Sequence, residues 1–383
     1  MQFETTPEQD LIRQTVREFA EKNVRPIAAK ADQEKRWPAE NIPKMAELGL
    51  LGLNTDPALG GAGADMVSYA IAIEELSRVC ASHGVIASVN NSLYLWPVTT
   101  FGTDAQKQKF ATPYAQGKKL GAYGLSEPVA GSDPAGGQST AQKKGDVYVL
   151  NGQKNFITNG GHADTVIVFC KTDPAQRHKG MSALLVEKGM PGFTWSEPEH
   201  KVGIRAAHST QLYFDNVEVP KENLLGKEGD GFKIAMKTLD GGRIGIAAQA
   251  LGIAQACLEE SVAYAKEREQ FGKPIADFQA IQFKLADMAM RIQASRLLTY
   301  QAAALKDAGK SYGPAAAMAK CFAGDTAMWA ATECVQIHGG NGYTTDYAAE
   351  RHFRDAKITQ IYEGTNEIQR VVVGGALLKG DLR

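Results

Sequence analysis

The sequence predicts an α+β protein of three units, in the order helical, β-rich, helical. Three observations carry this. Apolar residues recur at helical spacing from Thr6 to about Gly117 and again from Gly231 onward. Between them lie short β-prone runs separated by Gly, Pro, Asp and Lys clusters. A chain of 383 residues also exceeds what one hydrophobic core normally supports. The expected units are an all-α domain over 1–120, an antiparallel β-barrel or sandwich over 121–231, and a four-helix bundle over 232–383.

In the first unit, Thr6 with Pro7 reads as a helix cap followed by proline at the first helical position. Helices are expected over 39–48, 66–78, 87–100 and 104–114. The glycine-rich loop from Asn54 to Asp65 lacks both a flanking strand and a Walker lysine, so it reads as a turn region. In the middle unit, Asn151-Gly152 between Tyr148–Leu150 and Phe156–Thr158 predicts a hairpin with a type I′ turn. Further strands are expected at 165–170, 182–186, 192–195 and 210–214. In the last unit, Ile246, Ala250, Ile253 and Cys257 fall at i, i+4, i+7, i+11, as do Ile281, Leu285, Met288 and Ile292. A third long helix spans about 313–338 and a fourth starts near Thr365, with Ile368, Val371, Val372 and Leu377 as its buried stripe. Four long helices with short links suggest a bundle.

Composition excludes several classes. The formal net charge is −1, with 42 Lys and Arg against 43 Asp and Glu, so no basic stripe argues for nucleic acid. The start, MQFETTPEQD, has neither a charged n-region nor an apolar h-region, and no apolar run is long enough to span a bilayer. Cys80, Cys170, Cys257, Cys321 and Cys334 are scattered, with no CxxC pair, so neither a disulfide framework nor a zinc site is expected and a reducing cytoplasm fits. The histidines show no ligand spacing, so no metal is expected.

Five stretches carry chemistry. In Ile361-Tyr362-Glu363-Gly364, an acid flanked by apolar and aromatic residues is placed for desolvation, which raises its pKa toward the range of a general base; the same residues also read as the acidic start of a helix capped by Thr365. Tyr123 to Asp133, with small residues, two hydroxyls and a proline, suits a backbone laid against a flat ligand, or a domain-boundary turn. Phe156 and Thr158 share one strand face, as a ligand wall or hairpin core. Asp240-Gly241-Gly242-Arg243 puts an arginine at a helix start, where it needs an anion: a ligand, or Asp240 itself. Gln336 to Tyr343 is a glycine-rich run after a long helix, suited to cradling phosphate or to ending the helix.

Taken together, YGLSEPVAGSD, FITNGG, LDGGRIGIAAQALG, REQFGKPI, FQAIQFKLADM, CVQIHGGNGY, ERHFRDAKI and IYEGTNEIQR, in this order, make nearly the whole chain resemble the acyl-CoA dehydrogenase family, most closely its short-chain, butyryl-CoA-type members. The resemblance implies bound FAD, an acyl-CoA substrate, an electron-transferring flavoprotein as acceptor, and a homotetramer built as a dimer of dimers. It makes Glu363 the base. Tyr123, Leu125, Ser126, Gly131 and Ser132 would line the flavin, with Ser132 also touching the acyl-CoA. Phe156, Ile157 and Thr158 would pack and hydrogen-bond against the ring; many relatives carry Trp at the first of these. Arg268, Phe271 and Gln279 would reach FAD phosphate and adenosine, and Gln336, Ile337, Gly339 and Gly340 the pyrophosphate, both across a subunit interface. Thr365, Asn366 and Glu367 would contact FAD. Asp240, Gly241, Gly242 and Arg243 would meet the CoA arm, and Gly364 the substrate.

Isovaleryl and long-chain relatives place the base just before that arginine; here the position is Gly242, which leaves Glu363 without a competitor. The implied reaction removes the α proton to Glu363 and a hydride from the β carbon to flavin N5, with the thioester carbonyl polarised by a ribityl hydroxyl and the Glu363 amide. The helix around Asn90 to Trp96, with residues 247–251, would floor the acyl pocket; Leu93, Tyr94 and Trp96 are bulky and favour a short acyl group if they point inward, the other reading being core, and a branched, cyclic or medium-chain acyl group is the alternative. Acyl-CoA oxidases share the fold but are usually longer, and peroxide production in air separates the two. A DNA-associated flavoprotein of the same superfamily would need a basic surface, which the charge balance does not supply.

Overall fold

A computed structural model describes residues 4–382; Met1 to Phe3, part of the start read above as leaderless, lie outside them. The N-terminal helices are α1 (Pro7–Phe19), α2 (Arg25–Gln33), α3 (Ile42–Glu47), α4 (Met66–Val79), α5 (Ala81–Ser88), α6 (Trp96–Phe101), α7 (Asp104–Phe110) and α8 (Thr112–Ala115). Thr6 caps α1 in a reciprocal box with Gln9, as Thr-Pro-x-Gln suggests. The helix expected over 87–100 begins earlier, at Ala81, and runs through a π-helical stretch, Val89–Leu95, into α6. Asp65 ends the glycine-rich loop by capping α4, accepting from Ser68 N at 2.6 Å. Nearly every residue of α4 is buried, so it lies inside the molecule and packs on α1 and on the C-terminal helices.

The β unit comprises β1 (Gly121–Gly124), β2 (Thr140–Lys144), β3 (Val147–Thr158), β4 (Thr165–Lys171), β5 (Met181–Glu187), β6 (Phe193–Trp195), β7 (Ser209–Pro220) and β8 (Leu224–Leu225). Its order is β6-β7-β3-β2-β4-β5-β8, with β1 attached to β4. Most pairs are antiparallel, but β1 runs parallel to β4, and β2 makes one parallel pair with β4, so the sheet is mixed rather than wholly antiparallel. Asn151-Gly152 is not a hairpin turn. It lies inside β3, at a bulge against β7, and the turn comes at Gly145-Asp146. Gly152 has φ 137°, and a β-carbon there would overlap Ser139, so close packing rather than a reversal selects the glycine. β4 is buried on both faces: Val166 and Val168 enter the core of the β unit, while Ile167 and Phe169 join the cluster that includes the helices.

The last unit comprises α9 (Gly231–Glu267), a short hairpin of β9 (Glu269–Gln270) and β10 (Lys273–Pro274), α10 (Gln279–Asp307), α11 (Gly313–His338), α12 (Ala349–Ala356) and α13 (Asn366–Lys379). α9, α10, α11 and α13 form the expected bundle around an alanine-rich core. Two readings need correction. Asp240 to Arg243 is no helix start: α9 begins at Gly231, so Arg243 stands in its interior. The apolar stripe of α13 is not buried within this chain. Val371 is 69 % and Leu377 54 % exposed; α13 packs on α11, and its buried residues are Asn366, Gln369 and Ala376 instead. No helix among the described residues is long and apolar enough to cross a membrane.

Candidate functional site

The loop between α12 and α13 holds Glu363. Thr365 caps α13 by accepting from Ile368 N at 3.4 Å. To reach that cap the chain takes two left-handed residues in succession, Glu363 at φ 52° and Gly364 at φ 90°. Glycine adopts this freely; glutamate does so only under constraint. The constraint is visible. Gly364 O accepts from Lys320 Nζ of α11 and from Gln369 Nε2 of α13, both at 2.8 Å, and Gln369 Nε2 also reaches Glu363 O at 3.2 Å. On the other side the Tyr362 hydroxyl donates to Gln249 Oε1 of α9.

The strained turn aims the Glu363 carboxyl inward. The residue is partly exposed as a whole, but Oε2 is sealed and has no hydrogen-bond partner. Burial pushes its pKa up to about 8, while the Lys320 and Arg243 cations pull it down. Opposite stands Gly242. A β-carbon there would overlap Glu363 Oε2 and lie 2.7 Å from Leu93 Cδ2. The missing side chain is therefore what lets the carboxyl stand against α9.

Around this point the structure gathers residues distant in sequence. Arg243, buried in α9, donates to Asp240 Oδ1 at 2.7 Å, and its Nε has no partner. Burial raises the Asp240 pKa and Arg243 opposes the rise. Tyr123 of β1 donates to Ala235 O at 3.2 Å, and its pKa is raised by burial and then by Glu363. Leu125 is buried and Ser126 half-buried in the segment that follows. That segment is tied to β3: Asn155 N donates to Ser126 O at 2.9 Å, and Lys154 Nζ donates to Leu125 O at 3.3 Å and Glu127 Oε1 at 2.6 Å. Gly131 has open space around it, and Ser132 is exposed. Phe156, at φ 59°, is 68 % exposed, Thr158 is half-buried, and the Ile157 side chain sits in the core of the β unit, leaving its backbone for any ligand.

A second group lies elsewhere, at the far end of α9 and α11. There Tyr264 stacks on His338 at 4.2 Å, and Asn341 Nδ2 donates to Tyr264 Oη at 3.0 Å. Arg268, Gln279, Gln336, Gly339 and Gly340 are exposed, and Phe271 is 94 % exposed, whereas Ile337 is buried. β-Carbons at Gly339 and Gly340 would meet nothing, so their backbone faces open space. Beside Glu363, Asn366 is buried against Cys321 and Asp325 of α11, Thr365 is half-buried, and Glu367 is exposed.

Sequence reasoning missed Lys320, Gln369, Lys154 and the Tyr69–Ser88 pair. Lys320 had a signal: it occupies the i+4 place of a stripe formed by Ala316, Ala323, Ala327 and Ala330, where a cation is out of pattern. Tyr69 Oη and Ser88 Oγ lie 2.8 Å apart beneath Gly245, a contact that crosses from α4 to α5 and leaves no local trace.

The chain matches three family models: acyl-CoA dehydrogenase N-terminal domain over 6–118, middle domain over 122–217 and C-terminal domain over 229–378. It is 52 % identical over 379 residues to the short-chain specific acyl-CoA dehydrogenase of Clostridium acetobutylicum, covering 99 % of this chain and 100 % of that one. The butyryl-CoA dehydrogenase structure from Megasphaera elsdenii superposes with a TM-score of 0.97 at 50 % identity, over 99 % of this chain and 100 % of the other. A chain from a structure described as the electron transferring flavoprotein of Acidaminococcus fermentans, with a view to flavin-based electron bifurcation, gives a TM-score of 0.98 at 54 % identity, over 99 % and 100 %. With a desolvated glutamate opposite a glycine at the meeting point of all three matched domains, the chain belongs to the acyl-CoA dehydrogenase family of enzymes.

Proposed function

We propose that this enzyme oxidises a short-chain acyl-CoA to the trans-2-enoyl-CoA, with Glu363 taking the α proton. The observation that carries the reading is the Glu363 carboxyl: sealed, unpartnered at Oε2, and facing a residue with no side chain. A base with a pKa near the working pH combines a usable carboxylate fraction with enough basicity to take a carbon-bound proton. Arg243 and Asp240 flank the approach and are taken, with Gly241, Gly242 and Gly364, as the CoA-thioester contacts.

The donor set fits FAD. Open backbone at Gly131, the Ser126 and Thr158 hydroxyls and the outward Phe156 ring suit a flat polar ligand, with Tyr123, Leu125 and Ser132 completing that wall. Arg268, Gln279, Gln336, Gly339 and Gly340 suit a phosphate-linked nucleoside. When bound, the flavin supplies the hydride acceptor. The flavin ring has to stand beside Glu363, and Gly242, which faces that carboxyl, lies about 39 Å along α9 from Arg268 at ~1.5 Å per residue, farther than one dinucleotide reaches. This supports FAD held between two copies of the chain. The outward Phe271, Phe283, Met290, Tyr343 and Leu378, each more than 60 % exposed, support a homotetramer. The likeness to a chain from the flavoprotein structure supports an electron-transferring flavoprotein as acceptor, and the cysteine pattern supports a cytoplasmic setting. Arg268→Ala should lose FAD on dialysis with affinity reduced at least about tenfold, since a charge-assisted bond to phosphate is removed. Unchanged FAD content would count against the role.

Of the three expected floor residues, Leu93 faces Gly242. Tyr94 turns away, onto Gly121 and Tyr114, and Trp96 packs on Phe101 beneath the Lys306 ammonium. Leu93 therefore limits acyl length. Initial rates across a series of straight, branched and cyclic acyl-CoAs with a dye acceptor test this: wild type should peak at butyryl-CoA and Leu93→Ala should move the optimum to longer chains. An optimum at six carbons or more in wild type would refute the short-chain assignment.

A further inference from the structure

Lys320 is the one cation in the buried stripe of α11. It has no exposed surface, and burial lowers its pKa to about 8. Such a lysine is costly to keep unless its ammonium is fully hydrogen-bonded. Its Nζ donates to Gly364 O at 2.8 Å and to Asn366 Oδ1 at 3.0 Å. Neither acceptor carries a charge. The nearby carboxylates are already taken: Asp240 pairs with Arg243 at 2.7 Å, and Asp325 with Arg370 at 2.8 Å. That leaves the Glu363 carboxyl as the acid without a cation of its own and Lys320 as the unpaired cation that acts on it; Lys306, whose ammonium is also buried and unpartnered, stands beside Gly241 and Trp96 instead.

The other groups around Glu363 do not fill this role. Arg243 faces it from α9 but is shared with Asp240. Tyr69 from α4, Tyr123 from β1 and the adjoining Tyr362 are phenols that feel the Glu363 charge and supply none below their own raised pKa values.

We propose that Lys320 is a positioning residue for the base: it pins the left-handed Glu363–Gly364 turn through the Gly364 carbonyl and holds a positive charge behind the carboxylate. This rests on Glu363 being the base. The two parts act in one direction. The hydrogen bond fixes where the carboxylate stands, and the charge keeps a larger fraction of it ionised at neutral pH. Gln369 shares the same carbonyl and supplies only the first part.

The test is the pH dependence of kcat/KM in FAD-loaded enzyme. The wild-type rate should rise as Glu363 ionises. Lys320→Met and the milder Lys320→Gln, which keeps a donor for the carbonyl but drops the charge, should move that rise to higher pH and lower kcat/KM at pH 7 about tenfold or more, a tenfold loss being one pH unit of displacement. Lys320→Arg should return the rise to near its wild-type position. A merely structural pin would depress the rate at every pH and leave the rise where it was. Either neutral variant holding FAD with an unmoved rise overturns the proposal. Collapse of both neutral variants overturns it too, because Lys320 would then serve the fold rather than the base. Glu363→Gln separates the two readings. If it is inactive at every pH while the Lys320 variants keep the wild-type profile, only the positioning role fails; if it is active, the base assignment itself fails.

Discussion

Glu363→Gln should fold, bind FAD and lose on the order of 10⁴-fold in kcat, the upper range for removing a general base. The amide has the carboxyl's shape and none of its basicity, so binding and packing survive while the proton has nowhere to go. The same substitution should change stability with a sign that depends on pH. In the folded enzyme burial holds the Glu363 pKa at about 8, against an ordinary value of 4.5. Between those limits the folded state retains a proton that the unfolded chain has released, so wild-type stability falls as pH rises through this window. Glutamine does not titrate. The variant should therefore melt with wild type near pH 4 and above it at pH 9, by on the order of 2 kcal/mol after allowing for the residue's partial exposure. Parallel melting curves at both pH values would contradict the buried-acid description, and near-normal turnover would remove Glu363 from the mechanism.

That acid was legible because its cause is local. An apolar and an aromatic residue before it, and a glycine after it, are enough to suggest desolvation and a tight turn, and Thr365 marks where the helix restarts. The runs of β4 and β5 were legible for the same reason: strands buried on both faces are continuously apolar. Misreadings arose where a distant partner decides. Asn151-Gly152 has strong turn chemistry, but pairing with β7 and the press of Ser139 make it a bulge within one strand. Gly241-Gly242 looks like a break before Arg243, yet α9 runs through it, because tertiary packing outweighs the ~1 kcal/mol penalty of each glycine. Val371 and Leu377 of α13 follow helical spacing but point away from their own chain, and spacing alone does not say which molecule covers a face. Lys320 shows the opposite failure, a visible anomaly whose partner lies 44 residues on and could not be named.

Gly242→Ala should separate activity from stability, moving them in different directions. Within an ordinary helix, exchanging glycine for alanine stabilises by about 0.5–1 kcal/mol. At Gly242 the new methyl meets two neighbours, Glu363 Oε2 and Leu93 Cδ2, each the far end of a flexible side chain rather than backbone. Both can turn aside, so the helix keeps much of its gain and the melting temperature should stay level or rise. The carboxylate, however, is displaced from its place against α9 by a distance of the order of an ångström, and misplacement on that scale costs about 10²-fold in rate. Gly245→Ala is the contrast. There the methyl would strike Ser88 Oγ and Tyr69 Oη, which are fixed to each other by a buried hydrogen bond of 2.8 Å, so that variant should lose stability. Combining Gly242→Ala with Leu93→Ala relieves one collision and leaves the other, so it should recover only a small part of the rate, while the truncated core leucine lowers stability. Full recovery in the double variant would mean that Leu93, and not the carboxylate, is what the missing side chain at Gly242 makes room for.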